Sequence, residues 1–144
     1  MGVPIGLVFD CAKPRELGAF WEAVLDYVEK PPPDGYESWD AYDDAHGLPE
    51  SERDAGYAIV DPEGVGPSIF FQRVPEPKVV KNRVHLDVNV GGDASLTFEE
   101  RRLRIEAAVA PLEAMGATVL ARSEHHDDYF IVMQDPEGNE FCLV

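Results

Sequence analysis

The chain carries the tetrapeptide Asp-Pro-Glu-Gly twice, as Asp61-Pro62-Glu63-Gly64 and as Asp135-Pro136-Glu137-Gly138. Each copy lies between an aromatic β-rich run and a second β-rich run. One copy alone says little, because Asp-Pro and Glu-Gly are ordinary turn chemistry. What constrains the fold is that the order of elements around the two copies also repeats.

In the first half, the β-rich run Val3 to Phe9 leads to Pro14, a residue suited to a first helical turn. Leu17, Phe20, Trp21, Val24 and Leu25 then recur at helical spacing. The prolines Pro31 to Pro33 stop regular structure, and strands are expected over Tyr57 to Val60 and Ser68 to Val74, on either side of the first turn. In Pro75-Glu76-Pro77-Lys78 each proline removes a backbone donor, so this stretch reads as a linker. Beyond it come a strand over Arg83 to Val90 and a helix from about Thr97 to Met115, closed by Gly116. Strands near Thr118 to Ala121, Tyr129 to Gln134 and Glu140 to Val144 follow. The reading is an α+β fold of two βαβββ modules with pseudo-twofold symmetry, forming one domain over 1–144. The first module covers about 1–74, the linker about 75–82 and the second module about 83–144.

Between Asp34 and Asp54 the chain is acidic, and Tyr36, Trp39 and Tyr42 fall three residues apart. This predicts a short helix with one aromatic side packed on the body of the domain. His46, just before Gly47, is read as part of that helix's end.

Twenty-eight acidic side chains against twelve basic ones leave a formal charge of −16. Such a field repels nucleic-acid phosphates and anionic membrane surfaces, so neither is an expected partner. The start of the chain has no basic, apolar leader, which points to a cytoplasmic protein. Cys11 and Cys142 are too few for a disulfide scaffold and are read as reduced thiols. No serine-hydrolase elbow, phosphate-binding loop or HExxH motif occurs. His125-His126-Asp127-Asp128 has the composition of a metal cluster, but its hairpin setting makes neighbouring side chains diverge.

Three stretches carry a resemblance to a known family. They are Asp10-Cys11-Ala12-Lys13-Pro14-Arg15 with Ala19-Phe20-Trp21; the join Phe71 to Lys78 leading into Val84-His85-Leu86-Asp87; and the ending Asp135 to Phe141. Over nearly its whole length the chain resembles the glyoxalase/bleomycin-resistance/extradiol-dioxygenase superfamily, also called vicinal oxygen chelate proteins, and its glyoxalase-like subgroup in particular. The resemblance implies eight strands in a curved open β-barrel around a small-molecule ligand. It also implies metal ligands, where present, on the first and last strand of each module. Such a metal stabilises an enolate, activates an epoxide or binds oxygen beside a catechol.

Strand alternation assigns faces. Val84, Leu86, Val88 and Val90 are expected to pack under the helix, leaving His85, Asp87 and Asn89 on the cavity side. Likewise Ile5, Leu7 and Phe9 pack, and Gly6, Val8 and Asp10 face the cavity. The resemblance puts the metal positions at Gly6, at Phe70 or Gln72, at His85 and at Cys142, with Glu140 one pleat from Cys142. Glycine offers no donor and a thiol replaces the usual carboxylate. No cofactor is therefore expected; a divalent metal, if held, would use His85, Gln72 and Cys142. The expected catalytic residues are His85 as base and Glu140 as acid, with Phe70, Gln72, Asp87, Asn89 and Cys142 binding the ligand. Two functions follow from the resemblance: a glyoxalase-type lyase or isomerase, or a non-catalytic ligand- or antibiotic-binding protein similar to the bleomycin-resistance members. A homodimer is compatible with the linker, which would let modules swap between chains.

Overall fold

The computed structural model describes residues 1–144 and divides into two compact units, Met1–Pro77 and Lys78–Val144. The first unit contains β1 (Leu7–Cys11), α1 (Pro14–Leu25), β2 (Val28–Glu29), α2 (Trp39–Ala45), α3 (Glu50–Arg53), β3 (Gly56–Val60) and β4 (Ile69–Arg73). Its sheet has the order β1-β4-β3-β2, with β1 parallel to β4 and the other pairs antiparallel. A parallel pair needs a crossover connection. Helix α1 begins the crossover from β1, starting at Pro14 and ending where Asp26 takes a left-handed conformation at φ 60°.

The buried face of α1 is Leu17, Phe20 and Trp21, each almost wholly removed from solvent. Burial of such a side chain contributes about 1.5–3 kcal/mol. Trp21 meets the Phe9 ring edge-on at 5.2 Å, and Phe9 meets Phe71 at 5.4 Å. Gly18 lets the helix approach Tyr57 closely: a Cβ there would lie 2.2 Å from the Tyr57 ring. The Tyr57 hydroxyl donates to Glu22 Oε1 at 2.7 Å, and the Arg15 guanidinium lies 4.9 Å from the ring centroid.

The segment after Pro33 forms α2 and α3. Ser38 caps α2 by accepting from the Ala41 N–H at 3.1 Å. The Trp39 indole donates to the Lys30 carbonyl at 2.7 Å, while Tyr42 packs against Tyr36, Trp39 and His46. His46 closes the helix, with Nδ1 2.7 Å from the Tyr42 carbonyl oxygen.

The second unit contains β5 (Asp87–Val88), α4 (Phe98–Ala114), β6 (Thr118–His125), β7 (Asp128–Gln134) and β8 (Glu140–Leu143). Its sheet order, β5-β8-β7-β6 with β5 parallel to β8, repeats that of the first unit strand for strand. A capping box of Thr97 and Glu100 starts α4. Ile105, Val109 and Leu112 form its buried face, and Ile131, Met133, Phe141 and Leu143 are the fully buried residues of β7 and β8.

The repeated tetrapeptide builds the same turn in both units. Asp61 accepts from the N–H groups of Glu63, Val65 and Gly66 at 2.9, 3.0 and 2.7 Å. Asp135 accepts from those of Glu137 and Asn139, both at 2.9 Å, and from the Asn139 side-chain amide. Gly64 and Gly138 hold φ at 71° and 87°, a region costly for any residue with a Cβ.

Three expectations need correction. The strand expected over Arg83 to Val90 is reduced to Asp87–Val88, paired with Cys142 and Leu143 of β8. Val84 consequently stands 79% exposed instead of packing under the helix. Ile5 precedes β1 and is also exposed, although Leu7 and Phe9 do face the helix as alternation requires. Strand β2, only two residues long beside three prolines, has no alternating pattern to announce it. No helix is long and apolar enough to cross a membrane.

Candidate functional site

In the second unit, Phe141 and Leu143 of β8 are buried, which turns Glu140 and Cys142 to the opposite face. In β7 the buried Ile131 and Met133 likewise turn Phe130 and Val132 to that face. The parallel register sets Asp87 opposite Cys142, and the Cys142 N–H is tied to the Leu86 carbonyl at 2.9 Å. His85, one pleat before Asp87, places Nε2 3.3 Å from Asp87 Oδ1. The donor atoms of His85, Asp87 and Cys142 all lie within 4.8 Å of one another.

This row lines a pocket of about 350 Å³. Phe130, Val132 and Val144 give it apolar walls, and Lys81 and Glu140 complete it. Burial pushes the Cys142 thiol up from its ordinary pKa. The charge of Asp87 and a hydrogen bond to it act in the same direction, against a smaller opposing effect of Lys81. The thiol therefore stays protonated at neutral pH, unlike the thiolate of a nucleophilic cysteine.

Glu140 has a different environment. Its carboxylate accepts from the Asn82 N–H at 2.9 Å and pairs with Lys78 Nζ at 3.1 Å. Burial pushes its pKa up, but the backbone N–H groups and Lys78 outweigh burial and hold it below the usual carboxylate range. Glu140 thus fastens the 78–82 segment, which leads directly into His85. Asn89 is turned to its own loop, accepting from the Gly92 N–H at 3.0 Å.

Phe70 and Gln72 belong to the first unit, on the face of β4 opposite the buried Ile69 and Phe71. There Phe70 stands opposite Val8, and Gln72 opposite Asp10. Counting from Gly6 as from His85, Val8 beside Phe70 corresponds to Asp87 beside Cys142. By this register Phe70, not Gln72, is the counterpart of Cys142, and the first unit offers no donor at any of the three corresponding positions.

A family profile described as a glyoxalase-like domain matches residues 6–144. The chain belongs to the glyoxalase-like family. No curated protein sequence matches it. Solved structures share its fold at low identity. A glyoxalase/bleomycin resistance protein/dioxygenase family enzyme from Burkholderia phytofirmans is 17% identical over 95% of this chain and 93% of its own, with a TM-score of 0.58. A possible glyoxalase from Bacillus cereus is 14% identical, covering 100% and 98%, with a TM-score of 0.59. The fosfomycin resistance protein FosX from Listeria monocytogenes, as a mutant solved with manganese(II) and 1S,2S-dihydroxypropylphosphonic acid, is 12% identical, covering 99% and 89%, with a TM-score of 0.59.

Within this glyoxalase-like chain, the metal-ligating potential of Asp87 is what sequence reasoning missed. The signal lay in its position two residues after His85 on one strand face, but only the register with Cys142 brings the three donors together. Phe130 and Val132 were also missed as pocket walls. The alternation of Phe130-Ile131-Val132-Met133 marks two opposed apolar faces without saying which one lines a cavity.

Proposed function

We propose that the second unit binds a small organic molecule over the row His85, Asp87 and Cys142, and that His85 accepts a proton from it in a glyoxalase-type isomerase or lyase reaction. The observation that carries this reading is the His85–Asp87 pair opening on a pocket with apolar walls. A carboxylate 3.3 Å from Nε2 biases the imidazole toward carrying its proton there. That leaves Nδ1 as the acceptor of the substrate's proton. Phe130, Val132 and Val144 exclude water from one side of the ligand.

Glu140, engaged by Lys78 and Asn82, is assigned a positioning role instead of the acid role. His85 must then both take the proton and return it, which suits an isomerisation better than a reaction needing separate acid and base. The lack of a free acid on this row also favours the second reading, a binding protein that performs no chemistry.

The three donors suit a borderline-soft dication such as zinc, since imidazole, carboxylate and thiolate are all zinc ligands and a three-residue set leaves a position open. When bound, such an ion would take the lone pair of His85, so that His85 would no longer act as the base, and would supply Lewis acidity toward a carbonyl or hydroxyl oxygen in its place. Cys142 would give up its proton to join it. Asp87 takes the place that the sequence assigned to Gln72.

The test is a melting-temperature screen of small carbonyl and hydroxy compounds. A ligand at about a hundred times its dissociation constant adds roughly 2.7 kcal/mol of stability. Hits lost in His85→Ala support the site. Hits that bind His85→Ala equally well put the ligand elsewhere and overturn the proposal.

A further inference from the structure

A second cavity of the Lys78–Val144 unit, about 560 Å³, is made by a mismatch of strand lengths. The ladder between β7 and β8 begins at Ile131 opposite Leu143, so Asp128 and Tyr129 run past it. On the other side the chain leaves β5 through Gly91 and Gly92, with the Gly91 N–H donating to the Val144 carbonyl at 2.9 Å. Phe98, Arg101 and Ile105 of α4 form a further wall of the cavity.

Arg101 differs from Arg102 and Arg122 in its partners. Arg102 grips Glu99 at 3.0 Å and Arg122 grips Glu106 at 3.0 Å. The one partner of Arg101 is the backbone carbonyl of Asp127, at a long 3.3 Å, and its Nε is buried with no acceptor. An unsatisfied buried donor is unfavourable, so the side chain gains by turning to meet an acceptor in the cavity. Asp127 and Asp128 also line this space, and neither is ion-paired. One cavity therefore holds a guanidinium and the two unpaired carboxylates of Asp127 and Asp128, which do not neutralise it, beside Asp87, whose carboxylate faces His85.

A simple anion would meet these aspartates and the −16 charge of the chain, and a simple cation would leave Arg101 without its acceptor. A molecule with both charges satisfies both sides. We propose that this cavity binds a small zwitterion of amino-acid type, with its carboxylate on Arg101, its ammonium toward Asp127 and Asp128, and its apolar part on Phe98, Ile105 and Phe130. A planar guanidinium matches a carboxylate with paired hydrogen bonds. The inference is independent of the role of His85, which does not line this cavity, although Asp87, Phe130 and Val144 border both spaces.

Calorimetric titration of the full chain with L-phenylalanine, 3-phenylpropanoate and 2-phenylethylamine tests it. Phenylalanine should bind, and each singly charged analogue should bind at least about tenfold more weakly, the size expected for one charge-assisted contact. Arg101→Gln should weaken phenylalanine by about the same factor, and Arg101→Lys by less. Should Arg101→Gln melt early, the double variant Asp127→Asn, Asp128→Asn reads the other end: it weakens phenylalanine and not phenylpropanoate. His85→Ala should leave phenylalanine binding intact even if the proposed reaction is lost. No binding of phenylalanine, equal binding of phenylpropanoate, or loss of phenylalanine in His85→Ala would each overturn the proposal.

Discussion

Replacing Asp135 by alanine should cost the chain far more than the same change at Asp61, although the two tetrapeptides are identical. Asp135 is 3% exposed and accepts from three N–H groups, two of the backbone and one of the Asn139 side chain, at distances of 2.9 to 3.1 Å. A hydrogen bond to a charged group contributes about 1.5–3 kcal/mol, and these three share one acceptor, so the loss for Asp135→Ala is about 3–4 kcal/mol. For a chain of this size that lowers the melting temperature by about 10 °C. Asp135→Asn, which keeps one acceptor oxygen, should lose about half as much. At Asp61 the three N–H groups lie in a more open turn where water can replace the carboxylate, so its loss is smaller. Urea unfolding followed by far-ultraviolet circular dichroism measures all three variants. The reasoning is refuted if Asp135→Ala stays within about 1 kcal/mol of the parent chain, or if Asp61→Ala matches it.

Gly18→Ala pushes a methyl group into a Tyr57 ring held by Glu22 and Arg15. It should destabilise by about 1–3 kcal/mol, the usual range for overpacking, when measured by urea unfolding. Glu140 has a folded-state pKa held below its unfolded value. Its contribution is therefore fully present above about pH 4.3 and is lost as the pH falls through the lower folded value. Protection of the 78–82 amides from hydrogen exchange should fall across that window, and Glu140→Gln should show low protection already at neutral pH. Zn²⁺ added to chelator-treated protein should raise the melting temperature by several degrees, and Cys142→Ala should abolish the rise. No rise would leave His85 free to act as the base beside Asp87.

The repeat was legible in the sequence because two independent signals agreed. The tetrapeptide fixed the turns, and the spacing of Leu17, Phe20 and Trp21 fixed a helix at the same place in the order as α4. Alternation correctly turned Leu7 and Phe9 toward α1 and His85 and Asp87 away from the buried Val88. It misjudged Ile5 and Val84, because an apolar residue at the right period packs only where a partner strand extends far enough. The residues of the candidate site could be named one by one, yet their grouping depended on the β5–β8 register, which no local pattern encodes. The engagement of Glu140 with Lys78 and Asn82 was also hidden, since the partners are far apart in the sequence. Arg101 was invisible for another reason. Its orphaned Nε is noticeable only in the folded structure, where Arg102 and Arg122 are seen to be paired.

The most direct measurement of the proposed chemistry is proton exchange. Carbonyl compounds that bind the wild-type chain are incubated with it in D₂O, and loss of the acidic C–H signal is followed by proton NMR. If His85 is the base, exchange should proceed with the wild-type protein and slow by about a hundredfold or more in His85→Ala, the usual contribution of a general base. Exchange that continues unchanged in a folded His85→Ala protein would contradict the assignment of His85. Compounds that bind tightly to the wild-type chain without exchange would point to the non-catalytic binding protein instead.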